Sequence, residues 1–202
     1  MLDHYHTVAG TIEHRIKVER SEFLGIASSV DSDAAFSEAL RGAEKRFFDA
    51  THVCWAYRIM NGTEVRAHGS DAGEPSGSAG KPILSAIEKA GLVQTTVLIV
   101  RYFGGVKLGT GGLSRAYREC ARQVLDLAKK EERYLYKRIE VQTDFATRGT
   151  VYRLLSPPDV VLIEERFDEK SIFSIDVRLS ILAALSSELT ERRLHFVVVS
   201  GI

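Results

Sequence analysis

Apolar residues either alternate with polar ones or recur at helical spacing along most of the chain, and these two periods divide it into strands and helices. Residues 14–18 alternate and 23–30 form an apolar run, which predicts two strands with a break at Arg20-Ser21. After a candidate cap at Asp31, the residues Ala35, Phe36, Ala39, Leu40, Ala43 and Phe47 share one helical face. Residues 52–60 alternate again, Asn61-Gly62 signals a tight turn, and 64–68 is expected to pair back as a hairpin. The stretch 69–82 breaks both periods. Its four glycines, three serines and two prolines predict an irregular loop, of a length that compact domains usually reserve for function. A short helix over 83–90 ended by Gly91, a β-branched strand over 95–102 and, past a glycine turn, a helix over 112–128 complete this half.

The second half reads as strand 135–142, helix 147–155 stopped by Pro157-Pro158, strands 160–167 and 172–179 joined by a charged turn, helix 181–189 and strand 195–199. The order β-α-β-β-α-β is that of a ferredoxin-like unit. The charged run 129–133 is the expected boundary, which divides the chain into 1–133 and 134–202.

At 202 residues, 45% hydrophobic and 27% charged, the chain has enough apolar material for a core in each half. Lys and Arg number 27, as do Asp and Glu, so only local charge can argue for a nucleic-acid partner. The start has no basic segment followed by an apolar one, no apolar run reaches membrane-spanning length, and Cys54 and Cys120 lie far apart. A cytoplasmic protein with free thiols and no membrane association is expected.

The segment with the most chemistry is strand, glycine turn, helix. Arg101 and Tyr102 end the strand, Gly104-Gly105, Lys107, Gly109, Gly111 and Gly112 make the turn, and Arg115 and Arg118 open the helix. Such a turn exposes backbone N–H groups and a helix N-terminus to an anion, most often a phosphate. Five basic residues against one acid between 101 and 122 agree with that. The bland alternative is a tight turn beside a solvated face. Two nucleotide motifs fail: Pro75 and Pro82 spoil a phosphate loop at Gly80-Lys81, and Ser114 stands at the third glycine of a dinucleotide fingerprint.

A second group could line a pocket: His52, Cys54, Asp71, Glu74 and Lys81. His52 and Cys54 share a strand face, but a structural role outweighs a Cys–His nucleophilic pair, because no third group orients them. Asp71 and Glu74 could act as acid or base, although loop acids are more often simply solvated. No ligand set with metal-site spacing is present, and no cofactor or metal is expected.

Three segments taken together, 52–57 (HVCWAY), 71–82 (DAGEPSGSAGKP) and 100–117 (VRYFGGVKLGTGGLSRAY), resemble the YigZ/IMPACT family in order and spacing. The resemblance spans essentially the whole chain. It implies an α+β protein whose N-terminal domain resembles a ribosomal-protein fold also found in elongation factor G, followed by a ferredoxin-like domain. It further implies RNA, the ribosome or a protein of the translation machinery as partner, since eukaryotic relatives are translation regulators. It assigns no reaction, so an enzyme acting on a phosphate-containing ligand and a pure protein-interaction module stay open beside an RNA-binding regulator. The family often has a basic residue before Phe23 and Asp or Asn at position 72, where this chain has Glu22 and Ala72.

Overall fold

A computed structural model describes residues 3–62 and 64–199. The elements run β1 (His4–Val8), β2 (Thr11–Val18), β3 (Ser21–Ser29), α1 (Asp33–Arg46), β4 (His52–Asn61), β5 (Glu64–Ser70), α2 (Gly80–Lys89), β6 (Thr95–Tyr102), α3 (Gly109–Leu127) and β7 (Lys130–Tyr134). They continue with β8 (Tyr136–Thr143), α4 (Arg148–Tyr152), β9 (Val160–Phe167), β10 (Ser171–Arg178), α5 (Leu182–Glu191) and β11 (His195–Val198). Two compact units result, one from His6 to Arg133 and one that joins the residues up to Tyr5 with 134–202. The protein is thus mixed α and β, with antiparallel sheets. Among the described residues no helix is long and apolar enough to cross a membrane.

In the larger unit five strands lie in the order β2-β3-β6-β4-β5, each antiparallel to its neighbours. All of β6 except Tyr102 is buried, as a strand covered on both faces must be. Leu98 and Val100 point with Trp55, Tyr57 and Ile59 toward α1, where they enclose Phe36. Val97 and Ile99 point the other way with Phe23, Cys54 and Ala56, against Ile83 and Ile87 of α2 and Leu113, Tyr117 and Val124 of α3. Each such fully buried large side chain contributes about 1.5–3 kcal/mol. The α1 helix is capped by Ser32 rather than Asp31: the Ser32 hydroxyl accepts the Ala35 N–H at 3.2 Å.

Two helices start three residues earlier than periodicity predicts. The α2 helix begins at Gly80, because Pro82 sits in a first turn that needs no backbone donor. The α3 helix begins at Gly109, so its glycines belong to the first turn. The charged run 129–133 proves to be mostly strand, β7, paired with β1. Neither strand carries the apolar alternation that betrays one in sequence.

In the smaller unit the strand order is β11-β8-β10-β9, and the chain order β-α-β-β-α-β is the one predicted. Ile139, Val141, Phe173, Ile175 and Val177 pack with Leu185 and Leu189 of α5. The helix expected over 147–155 is shorter: a 3-10 turn at Phe145–Thr147 leads into the single α4 turn-and-a-half.

Gly104 marks the tightest approach of the glycine turn to the β2–β3 connection. A Cβ there would lie 1.9 Å from the Arg20 carbonyl oxygen. Gly104→Ala is expected to lower unfolding free energy by more than about 2 kcal/mol. Gly42→Ala, in open space on α1, is expected to raise it by about 0.5–1 kcal/mol. Urea denaturation of the two variants checks both signs, and a neutral Gly104→Ala would contradict the packing.

Candidate functional site

The antiparallel register sets the site. Arg101, near the end of β6, lies opposite Phe23 on β3 and His52 on β4, so all three project to the α2/α3 side of the sheet. A charged side chain there is buried unless a partner is supplied, and the loop after β5 supplies one. The Glu74 Oε1 atom accepts from Arg101 Nη1 at 2.6 Å and from the Tyr117 hydroxyl at 2.7 Å. Arg101 is 5% exposed and Glu74 8%. The guanidinium also sits 5.5 Å from the ring centres of both Phe23 and Phe103. Its Nε–H is buried with no acceptor.

The loop carrying Glu74 is itself held by Asp71. One carboxylate oxygen accepts the N–H groups of Ala79 and Gly80 at 2.8 Å each, and the other accepts that of Gly77 at 2.7 Å. Partial burial pushes the Asp71 carboxyl up, but these three donors and the Lys81 charge outweigh it and hold the group below the usual carboxylate range. Gly69 and Gly80 let the strand end and the α2 entry touch backbone to backbone, with 2.8 Å or less to any added Cβ. The two acids are therefore structural anchors, not the solvated loop acids that their setting in the sequence suggests.

Cys54 and His52 are also committed locally. Cys54 Sγ lies 3.0 Å from the Asp71 carbonyl and 3.3 Å from the Tyr117 hydroxyl. Burial, helped by the charges of Glu74 and Asp71 and opposed by the Tyr117 hydroxyl, pushes its thiol up to about 12. Burial does the same to Cys120, also to about 12. His52 Nδ1 is 2.8 Å from the Ala72 carbonyl oxygen. A carbonyl only accepts, so Nδ1 carries a proton there and the ring is held with Nε2 on its far side. Ala72 adopts φ +44°, a left-handed conformation that a residue with a Cβ rarely takes.

Beside the ion pair opens a cleft of ≈ 400 Å³, lined by His52, Glu74, Pro75, Arg101, Phe103, Lys107, Leu108, Gly109, Thr110 and Leu113 among others. From the two residue groups singled out in the sequence it brings together His52 and Glu74 with Arg101, Lys107 and Gly109, and leaves the others outside its lining. Leu108 precedes α3 and offers no side-chain acceptor to its first N–H groups. Lys107, Gly109, Thr110 and Phe103 are exposed at the mouth. Gly105 and Gly109 take φ of +84° and +68°, which glycine alone adopts without strain. Tyr102 lies on the opposite sheet face, its hydroxyl 3.0 Å from Asp49.

Further along α3, Arg115 and Arg118 are exposed and have no carboxylate partner among the described residues, and the same is true of Lys107. Arg122 differs: Glu119 and Asp126 neutralise it at i−3 and i+4. The positive surface therefore ends one turn earlier than the sequence suggests, because Asp126, beyond the basic stretch, supplies a second carboxylate to Arg122.

Compared with known proteins, residues 19–125 match the model of the Impact N-terminal domain. A Bacillus subtilis protein described as IMPACT family member YvyE is 34% identical over 191 residues, which is 95% of this chain and 88% of the relative. The Escherichia coli IMPACT family member YigZ is 26% identical over 176 residues, 87% and 86% of the two chains. A crystal structure described only as that of a hypothetical protein matches over 100% of both chains, with a TM-score of 0.74 at 23% identity, which shows a shared fold.

Two outcomes follow from this geometry. Glu74→Gln leaves the Arg101 charge buried without its counter-charge and is expected to lower stability by about 3–5 kcal/mol, with Glu74→Leu/Arg101→Met recovering part of the loss. Chemical denaturation of the single and double variants measures it. Neither thiol is expected to react with a maleimide or an aromatic disulfide in the native protein, and both are expected to react after unfolding. A native-state stoichiometry above zero would contradict the buried, protonated thiols.

Proposed function

The chain belongs to the IMPACT family, and from that premise we propose that it is a translation-linked regulatory protein whose larger unit binds the phosphate backbone of RNA, free or in the ribosome. The observation that carries this reading is the uncapped N-terminus of α3 with the unpaired cations Lys107, Arg115 and Arg118 beside and beyond it. A helix of this length presents its first N–H groups and a partial positive charge to an anion. The three side chains extend that field over the next turns, as a surface following a phosphate backbone needs.

Arg101, a candidate phosphate ligand by sequence, is engaged with Glu74, so the contact is assigned to the exposed residues. Of the glycines, Gly105, Gly109 and Gly111 contribute through backbone in this reading, whereas Gly104 and Gly112 are glycine for close packing against Arg20 and Leu108. We read the larger unit as the ribosomal-protein and elongation-factor G type of fold and the smaller as ferredoxin-like, a pairing suited to translation. The working compartment in this reading is the cytoplasm.

Replacing Arg115 and Arg118 by alanine together is expected to weaken RNA binding similarly across sequences and to flatten the salt slope by about two charges. Stability is expected to change little, because exposed arginines contribute about 0–1 kcal/mol each. A salt titration of RNA affinity on wild type and the double variant measures both. Unchanged affinity in a folded double variant would remove RNA from this face.

A further inference from the structure

We propose that the cleft between the 71–79 loop and the start of α3 is a binding site for a nucleoside monophosphate group; it shares the α3 N-terminus and Lys107 with the RNA reading above and does not involve Arg115 or Arg118. The cleft's ≈ 400 Å³ fall within the usual range of small-ligand pockets. Its two ends differ in chemistry. One end has the uncapped first turn of α3, at Gly109 and Thr110, with Lys107 beside it, and suits a phosphate dianion. Away from it Phe103, Pro75, Leu108 and Leu113 supply an apolar patch.

Phe103 is 46% exposed although it is a large aromatic, and it holds its place against the Arg101 guanidinium. An aromatic ring fixed at the lip of a cationic cleft gives a planar base a surface to stack on. Arg101 forms part of the cleft wall as the buried, Glu74-paired support behind Phe103. His52 lines the same cleft with its ring orientation fixed by the Ala72 carbonyl at Nδ1, which leaves Nε2 to meet a sugar hydroxyl. A cation, an N–H cradle, a stacking ring and an oriented imidazole around one cleft are the complement of phosphate, base and ribose.

The same group can come from a free mononucleotide or from the 5′-phosphorylated end of an RNA strand. Isothermal titration with adenosine 5′-monophosphate, inorganic phosphate, a 5′-phosphorylated single-stranded hexaribonucleotide and its 5′-hydroxyl form separates these sources. Saturable binding of the monophosphate is expected, tighter than that of inorganic phosphate. Phe103→Ala and Lys107→Ala are each expected to weaken it about tenfold. Both residues are exposed, so thermal melts are expected to stay near wild type. The nitrogen resonances of the His52 ring are expected to move on titration.

If the phosphorylated hexamer binds more tightly than the monophosphate and loses that advantage with its 5′-phosphate, the source is an RNA end. Equal affinities assign the free nucleotide. The proposal is overturned if the monophosphate does not bind, if it binds no better than inorganic phosphate, or if neither single substitution weakens it in a folded variant. Arg115→Ala/Arg118→Ala is expected to leave monophosphate affinity unchanged, since neither residue lines the cleft, so loss of RNA binding in that variant and loss of monophosphate binding in Phe103→Ala are distinguishable.

Discussion

The buried contact of Glu74 with Arg101 and Tyr117 is the constraint around which the larger unit is arranged. It ties together a strand end, an irregular loop and the long helix, which are 27 and 43 positions apart along the chain. An isolated charge in such a place costs several kcal/mol, and only a well-placed counter-charge offsets that cost. The loop must therefore enter the core at residue 74, and everything around it serves that entry. Asp71 gathers three N–H groups to turn the chain, Ser78 and Ala79 go inside, and Gly69 and Gly80 let the strand and helix ends touch. The glycine- and serine-rich stretch is thereby a folded part of the core and not a tether or a lid.

That arrangement also sorts the residues by what they can do. Cys54, Asp71, Glu74 and Arg101 satisfy one another or the backbone, the buried Arg101 Nε–H excepted, and their polarity is engaged inside the protein. What is left for a ligand lies one layer out, in Phe103, Lys107, the first turn of α3 and the far nitrogen of His52. The inner layer keeps the outer one in place: Arg101 backs Phe103, and the carbonyl of a strained Ala72 turns the histidine ring.

The fold was largely legible in the sequence because its elements obey a single period each. Residues 95–102 read as a buried strand and are one, and 160–167 with 172–179 read as a hairpin and pair with each other. Periodicity failed where no apolar face exists, at β1 and β7, and where glycine or proline masks a first helical turn, at 80–82 and 109–111. The site was only half legible. That Arg101 and the glycine turn matter was visible; that Arg101 would meet Glu74 was not, since a partner across a fold is invisible to spacing. The one usable hint was chemical: an arginine in a strand of Val, Leu and Ile must have a carboxylate somewhere, and few acids lie in loops that lead back to it.

The outer strands of the five-stranded sheet, β2 and β5, leave unpaired backbone groups along two open borders. With 27 basic and 27 acidic residues the molecule has no net charge to push copies apart at neutral pH. Protection must come from hydrated charged side chains at particular places rather than from net repulsion. Glu13, Arg15 and Lys17 line the exposed positions of β2, and Glu64 and Arg66 those of β5. Two copies approaching border to border meet these side chains before their backbones can zip together. Colloidal behaviour in this protein is a matter of local placement, and it is most vulnerable to substitutions along those two strands, far from the cleft and from the basic face.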